Sequence, residues 1–300
     1  MTTNKMPFSP SAPKNLIHIL NGDCARELWE TSGLPGTALV WREIYLEGPL
    51  LSAADPDPTL FRKTRADFLH SIVPEHSAET LLHSLEKTED AILKAGENTE
   101  FCLWFDGCMF DQTLLMRILF LFSRSSVRRK TALFCCNGFC LKAEHFRNGF
   151  EQRMFLTEED LRLGEAAWIS FVSRDAGAMR KLAESDGFAV HLPQMRQALL
   201  RCADDVPDNF GLTRTKRQLL TLVEEGITEP ENIFRAFDRF EDLPFLGDSS
   251  CFRLLEELAD RGFLRKKNGH FLPGTQPLSP PPQSLSQQFR SQQIPSGNSR

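Results

Sequence analysis

The sequence predicts an α/β fold: a Rossmann-like domain with a mainly parallel sheet, followed by a helical domain that ends in a winged helix. Three observations support this. Short apolar runs typical of strands alternate with segments of helical periodicity up to about residue 150. The chain beyond that point is mostly helical. An Asn-Gly dipeptide at 268–269 then separates two short strand-like runs, which indicates a β-hairpin.

The N-terminal α/β domain is predicted to span residues 15–150. Strands are expected at 15–20, 37–43, 99–106 and 131–136, and helices at 24–32, 58–72, 77–95 and 111–123. Strands separated by helices indicate a mainly parallel sheet that is covered on both faces. His18 lies inside an apolar strand, so we expect it to be a core residue. The preceding tail, residues 1–14, is expected to be disordered.

The C-terminal half is predicted in three parts. A helical connecting region covers 151–210, with helices at 157–172, 175–185 and 193–204. A winged-helix-like domain covers 211–272, with helices at 213–225, 230–240 and 248–261 and a hairpin of 263–267 with 270–272. Pro, Ser and Gln dominate 273–300, so this tail is expected to be disordered.

Composition narrows the class of protein. A length of 300 residues indicates about two domains. The net charge of -5 gives no polybasic character and therefore does not indicate nucleic acid binding. The strongest apolar run, 114–122, is short and contains Arg117, and the N-terminus lacks a signal-peptide core. We therefore expect a cytoplasmic protein with reduced cysteines and no membrane contact.

Polar clusters follow three of the predicted strands. Because open α/β sheets bind ligands at the carboxyl ends of their strands, these side chains are expected to share one pocket. Arg62 and Arg65, near the start of a helix, are expected to lean over the same edge and bind an anionic group. The candidate ligand-binding residues are Asn21, Gly22, Asp23, Arg42, Glu43, Glu47, Arg62, Asp106, Asp111 and Gln112.

The chemistry of this set suggests a cation with a phosphate-bearing ligand. Mg²⁺ favours carboxylate oxygens together with substrate phosphate, so Mg²⁺ is the candidate cofactor. Arg42 is the arginine expected to balance the clustered carboxylates. A structural explanation stays open: Asp23 and Asp111 cap helices, and Arg42 with Glu43 forms a surface pair. No nucleophile–base arrangement, zinc pattern or P-loop is present, so the sequence does not decide whether the protein is an enzyme.

Several motifs together resemble a known bacterial family. They are HILNGD at 18–23, VWRE at 40–43, EGP at 47–49, LWFD at 103–106, FDQ at 110–112, ALLR at 198–201 and GLTRTKRQ at 211–218. The combination resembles the uncharacterised two-domain family catalogued as domain of unknown function 1835, over roughly residues 15–265. The resemblance implies a two-part architecture and no activity. The family often has an acidic residue where this chain has Cys108, which would leave a site of three carboxylates incomplete.

Two functions are compatible with these features. In the first, the α/β domain binds a small anionic or nucleotide-like ligand, and the helical domain closes the cleft or contacts a partner. In the alternative, the protein is a ligand-sensing regulator or adaptor that acts through protein or DNA contacts of the winged-helix-like domain. Charge disfavours DNA, because residues 211–272 contain ten Lys and Arg against eleven Asp and Glu. A protein partner is therefore favoured over nucleic acid.

Overall fold

A computed structural model describes residues 15–51, 57–127, 129–136, 142–242 and 245–276. The predicted tail at 1–14, and the predicted tail at 273–300 apart from its first four residues, lie outside the described residues. The chain divides into two compact units. The first ends at Arg214 and also includes Glu241–Phe245, whereas the second comprises Thr215–Phe240 and continues from Leu246.

The first unit contains the sheet and the helices around it. Its strands are β1 (Asn15–Leu20), β2 (Thr37–Val40), β3 (Thr99–Asp106), β4 (Lys130–Cys136) and β5 (Met154–Phe155). Its helices are α1 (Asp23–Ser32), α2 (Pro58–Ile72), α3 (Ala78–Leu93), α4 (Met109–Arg124), α5 (Ala143–Gln152), α6 (Glu158–Val172), α7 (Ala176–Ala183), α8 (Phe188–His191) and α9 (Pro193–Asp204). Among the described residues, no helix is long and apolar enough to cross a membrane.

The sheet has the strand order β2-β1-β3-β4-β5. All neighbouring strands run parallel except β5, which pairs antiparallel with β4, so the predicted mainly parallel sheet is confirmed. Strand β3 lies at the centre, and every one of its residues is buried, which explains its unbroken apolar character. Because the chain places β2 and β3 on opposite sides of β1, the order reverses between β1 and β3, and this is the topological switch point.

Helices cover both faces of the sheet, as the alternation of strands and helices predicts. On one face, Trp29 of α1 and Phe146 of α5 belong to the same buried cluster as Trp104 of β3. Successive strand residues point to opposite faces. Phe101 therefore faces the other side, where its ring centroid lies 4.9 Å from that of Phe122 in α4. These two apolar layers hold the strand ends that carry the candidate residues.

Helix α6 packs closely on α4 within the first unit. A Cβ at Gly164 would overlap the side chain of Leu119, so only glycine permits this approach. Thr157 begins the helix with a capping box, because its side chain accepts from the backbone of Asp160 while the Asp160 carboxylate accepts from Thr157. Because α6 packs on α4, the predicted connecting region, 151–210, belongs to the same compact unit as the sheet.

Several predicted boundaries need correction. The strand predicted at 37–43 ends at Val40, because its partner β1 ends at Leu20 and offers no further ladder positions. The Trp41 N–H donates one last hydrogen bond to the Leu20 carbonyl at 2.8 Å before the chain leaves the sheet. Helix α4 begins two residues earlier than predicted, at Met109. Helix α5 and the short strand β5 were not predicted.

His18 is a core residue, as predicted. Its ring is fully buried, with Nε2 at 2.9 Å from the Pro35 carbonyl and Nδ1 accepting a hydrogen bond from Trp104 Nε1 at 2.9 Å. Burial lowers the pKa of His18 to about 4. The imidazole is therefore neutral, and the two hydrogen bonds assign the proton to Nε2.

The second unit consists of three helices and a hairpin. They are α10 (Arg214–Glu224), which begins at the division between the units, α11 (Pro230–Phe237), α12 (Asp248–Asp260), β6 (Leu264–Lys267) and β7 (His270–Pro273). A short 3₁₀ turn, Asp238–Phe240, follows α11. Asn268 and Gly269 both have left-handed φ angles, 50° and 81°, as a type I′ turn requires, so the predicted hairpin is confirmed.

Candidate ligand site at the carboxyl edge of the sheet

Four of the predicted residues form one hydrogen-bonded group where β1 and β3 end. Asn21, just after β1, donates from Nδ2 to both carboxylate oxygens of Asp111, each at 2.8 Å. The backbone N–H of Asp106, the last residue of β3, donates to Asp111 Oδ2 at 2.7 Å. Gln112 Nε2 donates to the Asp106 carbonyl at 2.5 Å. This group therefore lies at the topological switch point of the sheet.

Cys108 completes the group from the turn between β3 and α4. It is the N-cap of α4, and its Sγ accepts weakly from the Asp111 N–H at 3.5 Å. Its own N–H donates to Asp106 Oδ1 at 2.7 Å. The alternative that Asp111 caps the helix is wrong, because Cys108 occupies that position and the Asp111 carboxylate contacts Asn21. We call the five residues Asn21, Asp106, Cys108, Asp111 and Gln112 the switch-point cluster.

The electrostatics of the switch-point cluster are unusual. One ligand atom each from Asp106, Cys108 and Asp111 lie within 4.8 Å of one another, and all three residues are buried. No ion pair to either carboxylate occurs within the described residues. Burial, and then the neighbouring Asp106 charge, raise the pKa of Asp111 to about 8. Burial also raises the pKa of the Cys108 thiol. The cluster can thus retain a proton or accept a cation.

Asp23 and Arg42 form a separate, exposed pair. Arg42 donates from Nε and Nη2 to the two Asp23 oxygens at 2.7 and 2.6 Å, and both side chains are 48% exposed. This bidentate bond lowers the pKa of Asp23. In the described part of the chain, no hydrogen bond or ion pair joins this pair to the switch-point cluster. Arg42 therefore balances Asp23 rather than the whole set of carboxylates.

The N-terminus of α1 is not capped by the side chain of Asp23. Gly22, not Asp23, is the N-cap, and no side chain caps this end. The expectation that Asp23 caps the helix is wrong, because its carboxylate is bound to Arg42. The Gly22 backbone is extended, and a Cβ there would meet nothing within 4 Å. The turn itself therefore does not require glycine.

Glu43 is buried and pairs with Arg65. The Arg65 Nε and Nη2 groups donate to the two Glu43 oxygens at 2.7 and 2.8 Å. The other N–H groups donate to the carbonyls of Ile44, Glu47 and Pro49 at 2.8, 2.7 and 3.1 Å. The alternative of a surface pair between Arg42 and Glu43 is wrong. Arg65 uses all five of its donors inside the protein, so it has none left for an anionic ligand.

Arg62 contacts a different carboxylate from those of the predicted pocket. Its Nη1 donates to Glu89 Oε2 of α3 at 3.1 Å, and Arg117 Nη2 of α4 donates to Glu89 Oε1 at 2.6 Å. Arg62 thus lies beside α3, in a cleft whose lining contains no member of the switch-point cluster. The ten predicted residues therefore do not share one pocket. Four of them meet at the switch point, and the others lie elsewhere.

Cys108 is the site residue that sequence reasoning missed. Its sulfur lies beside two carboxylates, although the family resemblance indicated only that an acidic residue was lacking at this position. The available signal was its position: two residues after a strand end and directly before an apolar helix, where N-cap residues stand. Cys135 of β4 lies next to the cluster, with its Sγ 3.5 Å from Gln112 Nε2.

Comparison of this chain with family models, with curated proteins and with solved structures finds no match. The resemblance to domain of unknown function 1835 therefore stays a prediction.

Proposed function

We propose that the switch-point cluster binds a divalent cation and, through it, a small phosphorylated or nucleotide-like ligand at the carboxyl edge of the sheet. One observation carries the proposal. Asp106 and Asp111 are buried carboxylates with ligand oxygens within 4.8 Å of each other, and no lysine or arginine of the described chain pairs with either. Two such groups repel each other when both are ionised. A cation at this point would remove that repulsion.

The donor set favours a hard cation that keeps part of its shell for a ligand. Mg²⁺ and Mn²⁺ bind carboxylate oxygens and are commonly completed by substrate phosphates. Cys108 supplies a thiol whose raised pKa makes it a poor ligand for Mg²⁺. Only two protein carboxylates are therefore offered, and phosphate oxygens would complete the coordination. The switch point of an open α/β sheet is the expected place for such a ligand.

Thermal unfolding of the full chain tests this proposal. Wild type is compared with Asp106→Asn in the presence of nucleotides and phosphorylated metabolites, with and without Mg²⁺ or Mn²⁺. We expect stabilisation only with cation and ligand together, by about 2.7 kcal/mol when the ligand is at a hundredfold its Kd. Asp23→Asn is the matched control, because it removes an exposed carboxylate from the same edge. Absence of any cation-dependent shift in wild type would refute the proposal.

For the second unit, we propose a winged-helix topology and a role in protein contacts. The order of three helices and a hairpin supports the topology. Some basic residues of the unit are already paired: Lys216 Nζ lies 2.6 Å from a Glu257 oxygen, and Lys266 pairs with Glu256. Such pairing favours protein contacts over phosphate contacts. Sequence-selective, salt-resistant binding of duplex DNA by the full chain would contradict this proposal.

We also propose that the protein acts in the cytoplasm. The seven cysteines among the described residues are all free thiols, and several are buried. Reduced thiols of this kind are typical of a reducing compartment. Fractionation of cells that produce the protein would test this location.

A further inference from the structure

A small cleft lies between α2, α3 and the segment that follows β2. Its interior volume is about 10 Å³, which is the space of one water-sized group. Polar and charged side chains form much of its lining, including Arg42, Arg62, Arg65, Ser84, Thr88 and Glu89. The cleft is therefore too small to enclose a nucleotide base but large enough to admit one oxygen atom.

The charges around this cleft do not cancel. Arg65 is neutralised by Glu43, with both side chains essentially buried. Arg62 and Arg117 share one carboxylate, Glu89, and these side chains are 14%, 6% and 4% exposed. Neither arginine forms another ion pair with a described residue. One positive charge is thus left over in a region largely shielded from water, where an unbalanced charge is costly.

Hydrogen-bond donors in the same region also lack acceptors. The Nε atoms of Arg62 and Arg117 are buried and have no hydrogen-bond partner in the described chain. Ser84, which is half-buried, also lines the cleft. Thr88, one turn later, already donates to the Ser84 carbonyl at 2.8 Å. An anion with hydrogen-bond acceptor atoms would balance the surplus charge and accept from the unused donors.

We propose that this cleft binds the phosphate group of a small ligand, with one oxygen inside and the remainder of the group at the opening. Arg62 and Ser84 would donate to the inner oxygen, and the half-exposed Arg42 would contact the outer part. A guanidinium suits this role, because it binds phosphate oxygens through several N–H groups at once. Asp106 and Asp111 do not line the cleft, so the site does not depend on the cation site proposed above.

Calorimetric titration of the full chain with inorganic phosphate tests the site, with a chelator present and ionic strength held constant. We expect saturable binding of one phosphate per chain. Arg62→Lys keeps the charge beside Glu89 but removes the Nε–H and the fork, so it should weaken binding by about tenfold. Ser84→Ala should weaken binding without changing any charge. Arg124→Lys is the control, because that arginine is exposed and pairs only with Glu165 among the described residues.

The outcomes separate this site from the switch-point cluster. Phosphate binding that is weakened by Arg62→Lys and Ser84→Ala but persists in Asp106→Asn would support the cleft, even if no cation-dependent ligand is found. Absence of saturable binding in wild type would mean that the cleft holds only water, and it would overturn the proposal. Binding that is lost in Asp106→Asn but unchanged in Arg62→Lys would also overturn it.

Discussion

Two buried carboxylates follow the carboxyl ends of β2 and β3, the strands on either side of β1, and their surroundings differ in charge. Glu43, after β2, receives two charge-assisted hydrogen bonds from Arg65. Asp111, after β3, receives three hydrogen bonds, but they come from the Asn21 amide and the Asp106 backbone, which are neutral donors. The oxygens of both carboxylates accept hydrogen bonds. Only the negative charge of Glu43 is also balanced by a positive charge.

This difference separates a structural site from a candidate binding site. At Glu43 the guanidinium also binds three loop carbonyls, so the ion pair organises the segment after β2 and leaves no donor free. At Asp111 the negative charge has no counterpart in the described chain, and the pKa of the carboxyl group rises instead. A group in that condition gains stability from a proton or a cation.

Arg65→Met should destabilise the protein most. The substitution leaves Glu43 buried without its counter-charge and frees the carbonyls of Ile44, Glu47 and Pro49. Breaking one side of a buried pair typically costs about 3–5 kcal/mol. Urea unfolding, followed by circular dichroism, measures the loss of unfolding free energy.

The double variant Arg65→Met with Glu43→Gln is the control for this comparison. Because it removes the buried charge along with its partner, it should recover part of the stability lost in the single variant. If the unfolding free energy of the single variant lay within about 1 kcal/mol of that of wild type, the Arg65–Glu43 pair would contribute no more than a surface pair. The contrast with Asp111 would then be lost.

Asp111→Asn should change how stability depends on pH. The pKa of Asp111 is raised to about 8 in the folded protein, from 3.8 ordinarily. Between pH 6.5 and 8, the folded protein therefore holds a proton that the unfolded chain has already released, and wild-type stability falls as pH rises. The expected slope is at most about 1.4 kcal/mol per pH unit. Asp111→Asn should lack this part of the slope.

Urea unfolding at several pH values within that window measures the effect. His18, whose pKa is lowered to about 4 in the folded protein, contributes equally in wild type and Asp111→Asn, so the difference between the two slopes isolates Asp111. A divalent cation together with its phosphorylated ligand, at saturating concentration, should also flatten the wild-type slope, since the cation replaces the proton. Equal slopes for wild type and Asp111→Asn would show that Asp111 is already ionised, contrary to the electrostatic argument.

The periodic parts of the fold were readable from the sequence. The segments 15–20, 58–72 and 99–106 match β1, α2 and β3 at both ends, because each is bounded by turn residues and carries a regular apolar pattern. Strand β5 has only two residues, too few for any pattern to appear. The N-cap of α5 makes no side-chain hydrogen bond, so its start carried no signal either.

The partners within the site were harder to predict than its location. Strand ends placed Asn21 and Asp106 at one edge correctly, since parallel strands share their carboxyl side. The hydrogen-bond partners could not be predicted from the sequence, because Asn21 and Asp111 are 90 residues apart and Arg65 lies 22 residues from Glu43. Helix orientation decides these pairings. The sequence therefore predicts that Arg42 balances several carboxylates, whereas among the described residues its only ion pair is with Asp23.

Arg42→Ala should have the smallest effect on stability. If Arg42 were fully buried within the carboxylate set, its loss would cost as much as that of Arg65. Its pair with Asp23 is instead 48% exposed on both sides, so water and salt screen the interaction. We expect a loss of about 0.2–1 kcal/mol at low salt, which decreases further in 1 M NaCl. Urea unfolding at two salt concentrations measures this, with Arg26→Ala, another half-exposed partner of Asp23, as the control. A salt-independent loss as large as that of Arg65→Met would mean that Arg42 balances buried carboxylates, and the two kinds of acidic environment would then no longer be distinct.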